Sequence, residues 1–108
     1  MSKFDTFIED LRGEIKILAR EAGKEMAGAA LKDSRTFIRK AKKDLERWTR
    51  LLAKGDLTAD EFEFLVEAKR DLAVMEALKQ EGLSRIRVER FRRRLIDLVV
   101  STAFRVFL

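Results

Sequence analysis

The chain has 108 residues, 40% of them charged and 46% apolar, and carries a formal net charge of +5. That length suits one core of ordinary size, and the mix is too apolar for disorder and too charged for a membrane span. Cys and His are both absent. This excludes disulfides, thiolate or imidazole metal sites, and nucleophilic catalysis through Cys or a His-activated Ser.

Pro is also missing, and Leu, Ala, Glu, Lys and Arg dominate. All five are good helix formers, whereas Pro costs about 3 kcal/mol inside a helix. The expected fold is therefore all-α, an antiparallel helical bundle in one domain. It takes one of two forms: four helices of about 20 residues, near 3–27, 34–53, 59–81 and 85–107, or one long N-terminal helix plus a helical hairpin that oligomerises. The N-terminus holds acidic residues where a signal peptide needs an apolar core. With no Cys, a reducing, cytoplasmic setting is expected, with a membrane-peripheral one as the alternative.

Residues 1–53 carry one continuous stripe: Phe4, Ile8, Leu11, Ile15, Leu18, Ala22, Met26, Ala30, Ser34, Phe37, Ala41, Leu45, Trp48 and Leu52. Its step of about 3.7 residues fits a single helix roughly 75 Å long. The rival is a break or kink between Gly23 and Ser34, which is the preferred reading. Gly23 and Gly28 each weaken a helix by about 1 kcal/mol relative to Ala, and Asp33 or Ser34 suits a new helix start. Against the break, the 26–32 segment is Ala-rich and makes a poor loop.

Gly55 suits a left-handed helix end, and Thr58 with Glu61 forms a capping box for the next helix. That helix is expected over 59–81, with Phe62, Leu65 and Leu72 as core anchors. Gly82 ends it, Leu83 packs back, and Ser84 caps a last helix over 85–107. Val88, Phe91, Leu95, Leu98, Val99, Thr102 and Val106 form its stripe. Ile96, Val100, Phe104, Phe107 and Leu108 project outside that stripe, so this helix is either central to the bundle or covered by another subunit.

Charge is unevenly spread. Residues 1–34 sum to −1, 35–54 to +6, 58–83 to −4 and 84–108 to +5. The 85–94 segment holds six Arg: Arg85, Arg87, Arg90, Arg92, Arg93 and Arg94. On a helix Arg87, Arg90, Arg93 and Arg94 gather on one side, opposite Val88 and Phe91. Such a face binds phosphates of nucleic acid or anionic lipid headgroups, unless its arginines pair with the acidic helix beside them. A second basic face includes Arg35, Arg39, Lys40, Lys42, Lys43, Arg47 and Arg50. Trp48 lies on the core stripe, so packing explains it better than base stacking.

No phosphate loop is present. The acidic 56–67 stretch lacks the mid-loop Gly of a calcium site and reads as a capped helix start. No catalytic residue, metal ligand or cofactor is expected. Leu52, Gly55, Leu57, Thr58, Asp60, Glu61, Phe62 and Glu63 resemble the SHOCT motif, a short helical hairpin found in many bacterial proteins. The likeness covers about 20 residues, and Val66 stands where the motif places a Lys. It implies an interaction or oligomerisation element without activity.

The expectation is thus a non-enzymatic helical protein acting through protein contacts, as a homo-oligomer. Phe4, Ile8, Leu11, Ile15, Val100, Phe104 and Phe107 are its candidate oligomer contacts. The alternatives are a nucleic-acid-binding accessory protein using the 85–94 face, supported by Arg39, Lys43 and Arg47, and a protein of the anionic membrane surface.

Overall fold

The computed structural model describes residues 2–69 and 75–108. The fold is all-α, with helices α1 (Lys3–Glu21), α2 (Ala27–Lys54), α3 (Ala59–Ala68), α4 (Glu76–Gln80) and α5 (Arg85–Phe107), and no strand among the described residues.

Helix α1 starts in a capping box. The Ser2 hydroxyl accepts from the Asp5 N–H at 3.1 Å, and the Asp5 carboxylate accepts from the Ser2 N–H at 3.4 Å. Phe7, Ile8, Leu11, Ile15, Leu18 and Ala19 are its buried face, spaced at one helical turn. The helix ends at Glu21. The Gly23 N–H donates to the Arg20 carbonyl, the Met26 N–H donates to the Gly23 carbonyl, and Gly23 sits at φ 103°. A side chain is strained there, and glycine is not.

The first 53 residues therefore form two helices, and the continuous 75 Å helix is not formed. The break lies at 22–26, upstream of the expected capping residues. The Ala-rich 27–32 segment forms the opening turns of α2, where its helix propensity offsets the lack of any side-chain cap on Met26. Asp33 and Ser34 are buried within α2 and start no helix. The Ser34 hydroxyl donates to the Ala30 carbonyl at 2.8 Å.

Helix α2 ends as expected. Gly55 is left-handed at φ 81°, the Asp56 N–H donates to the Leu51 carbonyl, and the Gly55 N–H donates to that of Leu52. This pair of hydrogen bonds satisfies the last free carbonyls of the helix. The Thr58–Glu61 capping box comes next, with bonds of 3.1 and 2.9 Å. Hydrogen bonding to the Thr58 backbone, then to its side chain, holds the Glu61 carboxyl below the usual range. Gly82 repeats the terminating motif at φ 88°, and the Ser84 hydroxyl caps α5 by accepting from the Arg87 N–H.

The expected helix over 59–81 is not continuous. Lys69 caps the end of α3, and α4 starts afresh after Met75, which is left-handed at φ 55°. The physical reason lies far upstream, on α2. Asp33 Oδ1 accepts from the Ala77 N–H at 3.0 Å, and Asp33 Oδ2 accepts from the Leu78 N–H at 2.8 Å. In an unbroken helix these N–H groups would bond to carbonyls four residues back. A fresh helix start frees them, and they satisfy a carboxylate buried in α2. The expected core position Leu72 lies outside the described residues. Phe62 is fully buried and Leu65 partly so.

Cross-helix pairs fix the directions. Asp10 and Glu14 of α1 meet Arg105 of α5, while Glu21 meets Arg94. Asp44 of α2 meets Lys69, and Asp33 meets the start of α4. Phe62 of α3 meets Phe104, and Glu67 meets Arg93. In each case rising numbers on one helix meet falling numbers on the other, so these neighbours run antiparallel. The 28 residues of α2 span about 42 Å at 1.5 Å each, equal to the longest dimension of the molecule, 42 × 26 × 18 Å.

Helix α5 packs against each of the other four helices. Ile96 and Val100, which project outside its main stripe, are thereby buried. Phe37, Phe62, Leu78 and Val99 fill the core with Trp48, which is buried as its stripe position requires.

Removing the Asp33 acceptor strands two N–H groups and a helix start. Asp33→Ala is expected to lose about 3 kcal/mol of unfolding free energy, and Asp33→Asn, which keeps one acceptor oxygen, about half that. Urea titration followed by circular dichroism measures both; an unchanged midpoint for Asp33→Ala would show that the clasp carries no stability.

Candidate phosphate-binding groove

The Arg-rich 85–94 segment does not present one free face. Arg93 points to α3, with its guanidinium 2.7 Å from Glu67, 3.5 Å from Asp97 and 3.8 Å from Glu63. The Glu67 hydrogen bond, then the Asp97 charge, holds that guanidinium above its ordinary pKa. Arg94 turns the other way and pairs with Glu21 of α1. Arg87 donates to the Ala22 carbonyl at 3.3 Å, across the end of α1. Arg92 pairs with Glu89 at 2.7 Å on its own helix and is largely buried, with its Nε lacking a partner among the described residues. Arg85 and Arg90 form no ion pair with a described residue. The reason is angular: Arg93 and Arg94 are adjacent in sequence, so about 100° separates them around the axis, and α3 and α1 flank α5 on its two sides.

The second basic face is also divided. Arg47 pairs with Asp44 at 3.0 Å and Arg50 with Glu46 at 3.5 Å. Asp44 also takes Lys69 from α3. The Lys69 hydrogen bond is the main cause that holds the Asp44 carboxyl below its ordinary range, with the Arg47 charge adding to it. Lys43 is exposed and pairs with no described residue.

Arg39 belongs to a different feature. The reversal at 22–26 lays α1 antiparallel to α2 and leaves a groove of about 530 Å³ between them. Ile8, Ile15 and Ile38 form its floor and are 6%, 1% and 6% exposed. Arg12 and Lys16 line one wall; Arg35, Arg39 and Lys42 line the other. Their spacings, i,i+4 on α1 and i,i+4,i+7 on α2, keep each set on one helix face, and seven residues of α2 extend about 10 Å. No described acid lines the groove. None of the five cations, all exposed, forms an ion pair with a described acid.

Three of the five acids of α1 lie on its other side. Glu14 accepts from the Thr102 hydroxyl at 3.2 Å and pairs with Arg105 at 2.9 Å, Asp10 approaches the same guanidinium at 3.6 Å, and Glu21 takes Arg94. Helix α1 thus sends Asp10, Glu14 and Glu21 to α5 and Arg12 and Lys16 to the groove, while Asp5 caps its own helix and the exposed Glu9 forms no ion pair with a described residue. Its near-zero net charge hides both. The spacing of Arg12 and Lys16 beside Ile8 and Ile15 carries the signal, and it becomes a groove only once the chain reverses.

The candidate oligomer contacts lie largely inside one chain. Ile8, Leu11, Ile15 and Val100 are buried. Phe4, Phe104 and Phe107 are partly buried, and Phe107 meets the Phe7 ring edge-on at 5.7 Å. The stripe that a long helix would leave to a second subunit is covered by α2 and α5.

No group of three or more Asp or Glu placed to hold a metal ion occurs among the described residues, and no described helix is long and apolar enough to cross a membrane. No protein-family profile, curated protein or solved structure matches the chain.

The lowered Asp44 pKa has a pH consequence of definite sign. Its folded value lies below the unfolded one, so its pairing stabilises the protein above the ordinary Asp value of 3.8, and the contribution disappears as pH falls through the folded value. Asp44→Asn should therefore lower stability at pH 7, by about 1 kcal/mol for a partly buried, solvent-screened pair, and the wild-type advantage should shrink as pH falls below 3.8. Thermal melts of both proteins across this range check it; a pH-independent difference would remove the ionic explanation.

Proposed function

We propose that this chain is a non-catalytic nucleic-acid-binding protein that holds a phosphodiester backbone in the groove between α1 and α2. One observation carries the reading: five cations, none paired with a described acid, face one another across a groove that no described acid lines. Arg guanidinium forks and Lys ammonium groups on two walls suit a charged strand lying between them, and Arg in particular contacts phosphate through paired N–H donors.

The shape favours a strand over a membrane. A bilayer surface is broad, and peripheral helices hold it by inserting apolar side chains among the cations. Here the apolar residues between the walls are buried as the floor, with nothing left to insert. Among the described residues the groove also offers no aromatic platform and no amide or hydroxyl side chain. Bases would be neither stacked nor read, so binding is to the backbone and independent of sequence. Of the 85–94 arginines, Arg87 and Arg94 hold α5 to α1 and Arg93 holds it to α3.

Fluorescence anisotropy with a labelled 20-base-pair duplex tests the proposal. Five phosphate contacts give a slope of about −4.5 for log affinity against log salt. Replacing Arg12, Lys16, Arg35, Arg39 and Lys42 with Gln should abolish binding, while Arg85→Gln and Arg90→Gln leave it within about twofold. All seven side chains are exposed, so the fold should survive. Unchanged affinity in the five-fold variant, or tighter binding to phosphatidylserine vesicles than to duplex, overturns the reading.

A further inference from the structure

Among the described residues four large apolar side chains stand mostly in solvent: Ile17, Phe64, Ile86 and Leu108. Two of them sit in charged surroundings of opposite sign. Phe64, 69% exposed on the outer face of α3, lies with the partly buried Leu57 and Leu65 in a shallow concavity of about 390 Å³, rimmed by Asp60 and Glu61. Glu61 uses Oε1 on its own helix cap. Asp60 forms no ion pair with a described residue. Ile86, 73% exposed on the first turn of α5, lies between Arg85 and Arg87 in sequence and one turn before Arg90. Arg85 and Arg90 also form no ion pair with a described residue.

We propose that this chain self-associates by seating Ile86 of one copy against Phe64, Leu57 and Leu65 of another, with Arg85 and Arg90 facing Asp60 and Glu61. Charge complementarity selects the occupant. The acidic rim repels an acidic partner and favours a basic one, and this chain displays an exposed apolar side chain flanked by arginines that pair with no described acid. The α1–α2 groove is equally basic, but its isoleucines are buried and offer Phe64 no apolar surface. Within one chain the two halves cannot meet. Helices α3 and α5 run antiparallel with Glu67 level with Arg93, which puts Phe64 and Ile86 roughly 15–20 Å apart along the bundle. Each copy carries both halves, so the contact closes as a two-fold dimer or continues as a chain. The patches are small beside the ~800 Å² per partner of a stable interface, so the association is weak.

Sedimentation equilibrium of the full chain, from micromolar to ~1 mM protein at low salt, tests this. The weight-average mass should rise with concentration, and the rise should shrink as salt is added. Phe64→Gln and Ile86→Gln should each weaken association at least tenfold. Asp60→Arg and Arg85→Asp should each do the same alone, and mixing these two variants should restore it, because the mixed pair rebuilds the opposite charges. Circular dichroism verifies that each variant is folded. Duplex binding by the groove should be unaltered in all four, since none of these residues lines it. A wild-type protein that stays monomeric throughout, or folded Phe64 and Ile86 variants that associate like wild type, overturns the proposal.

Discussion

The reversal of the chain between Glu21 and Ala27 sets both the packing of the core and the position of the groove. Helix α1 buries six residues, among them Phe7, Leu11 and Ile15, and they need a partner surface. A straight continuation into α2 would carry that stripe away from the rest of the chain and leave it to another molecule. With Gly23 at φ 103°, the chain instead folds α1 back along α2, and the two stripes cover each other. The same reversal places Arg12 and Lys16 opposite Arg35 and Arg39. Core closure and the cationic groove are two results of one turn, and a groove of this kind is absent from either helix alone.

Charge is sorted by the neighbours each helix acquires. Acids of α1 meet Arg94 and Arg105 of α5; acids of α3 meet Arg93. Exposed ion pairs of this kind contribute about 0–1 kcal/mol each. Their sum does not hold the fold together, which rests on the buried apolar side chains. They do fix orientation, since Arg93 and Arg94 each select a different flank. They also remove charge from the surface available to a ligand. What stays unpaired is concentrated along α1 and α2.

Local signals in the sequence were legible, and their partners were not. Gly55, Gly82, Thr58 with Glu61, and Ser84 act through residues within five positions, so the ends of α2 and α4 and the starts of α3 and α5 could be read directly. Asp33 carries an equally clear signal, a carboxylate suited to capping a helix. It caps one, but the helix begins at Glu76. Nothing local distinguishes a residue that caps its own helix from one that caps another across the core. The broken third helix was illegible for the same reason. The break between α1 and α2 was legible as the preferred of two readings, but its position was not. Its flanking stripes keep the same phase through the turn, because each half must face the core whether the chain runs straight or doubles back.

The candidate site was half legible for a related reason. Six arginines in ten residues draw attention to α5, yet density of charge along a chain does not measure charge free to bind. A helix with acidic neighbours on two sides offers its cations to them first, and α5 lies between the acids of α1 and those of α3. Helix α2 is different: its two acids outside the core, Asp44 and Glu46, lie in its second half, where they take Arg47, Arg50 and Lys69. Arg35, Arg39 and Lys42 precede them and face Arg12 and Lys16, which are cations too. Like charges held side by side repel, and core packing of Ile8, Ile15 and Ile38 beneath them holds them there. A phosphate chain lying in the groove would relieve that repulsion, which is the physical basis for proposing the groove, and not the tied Arg87, Arg93 and Arg94 of α5, as the phosphate site.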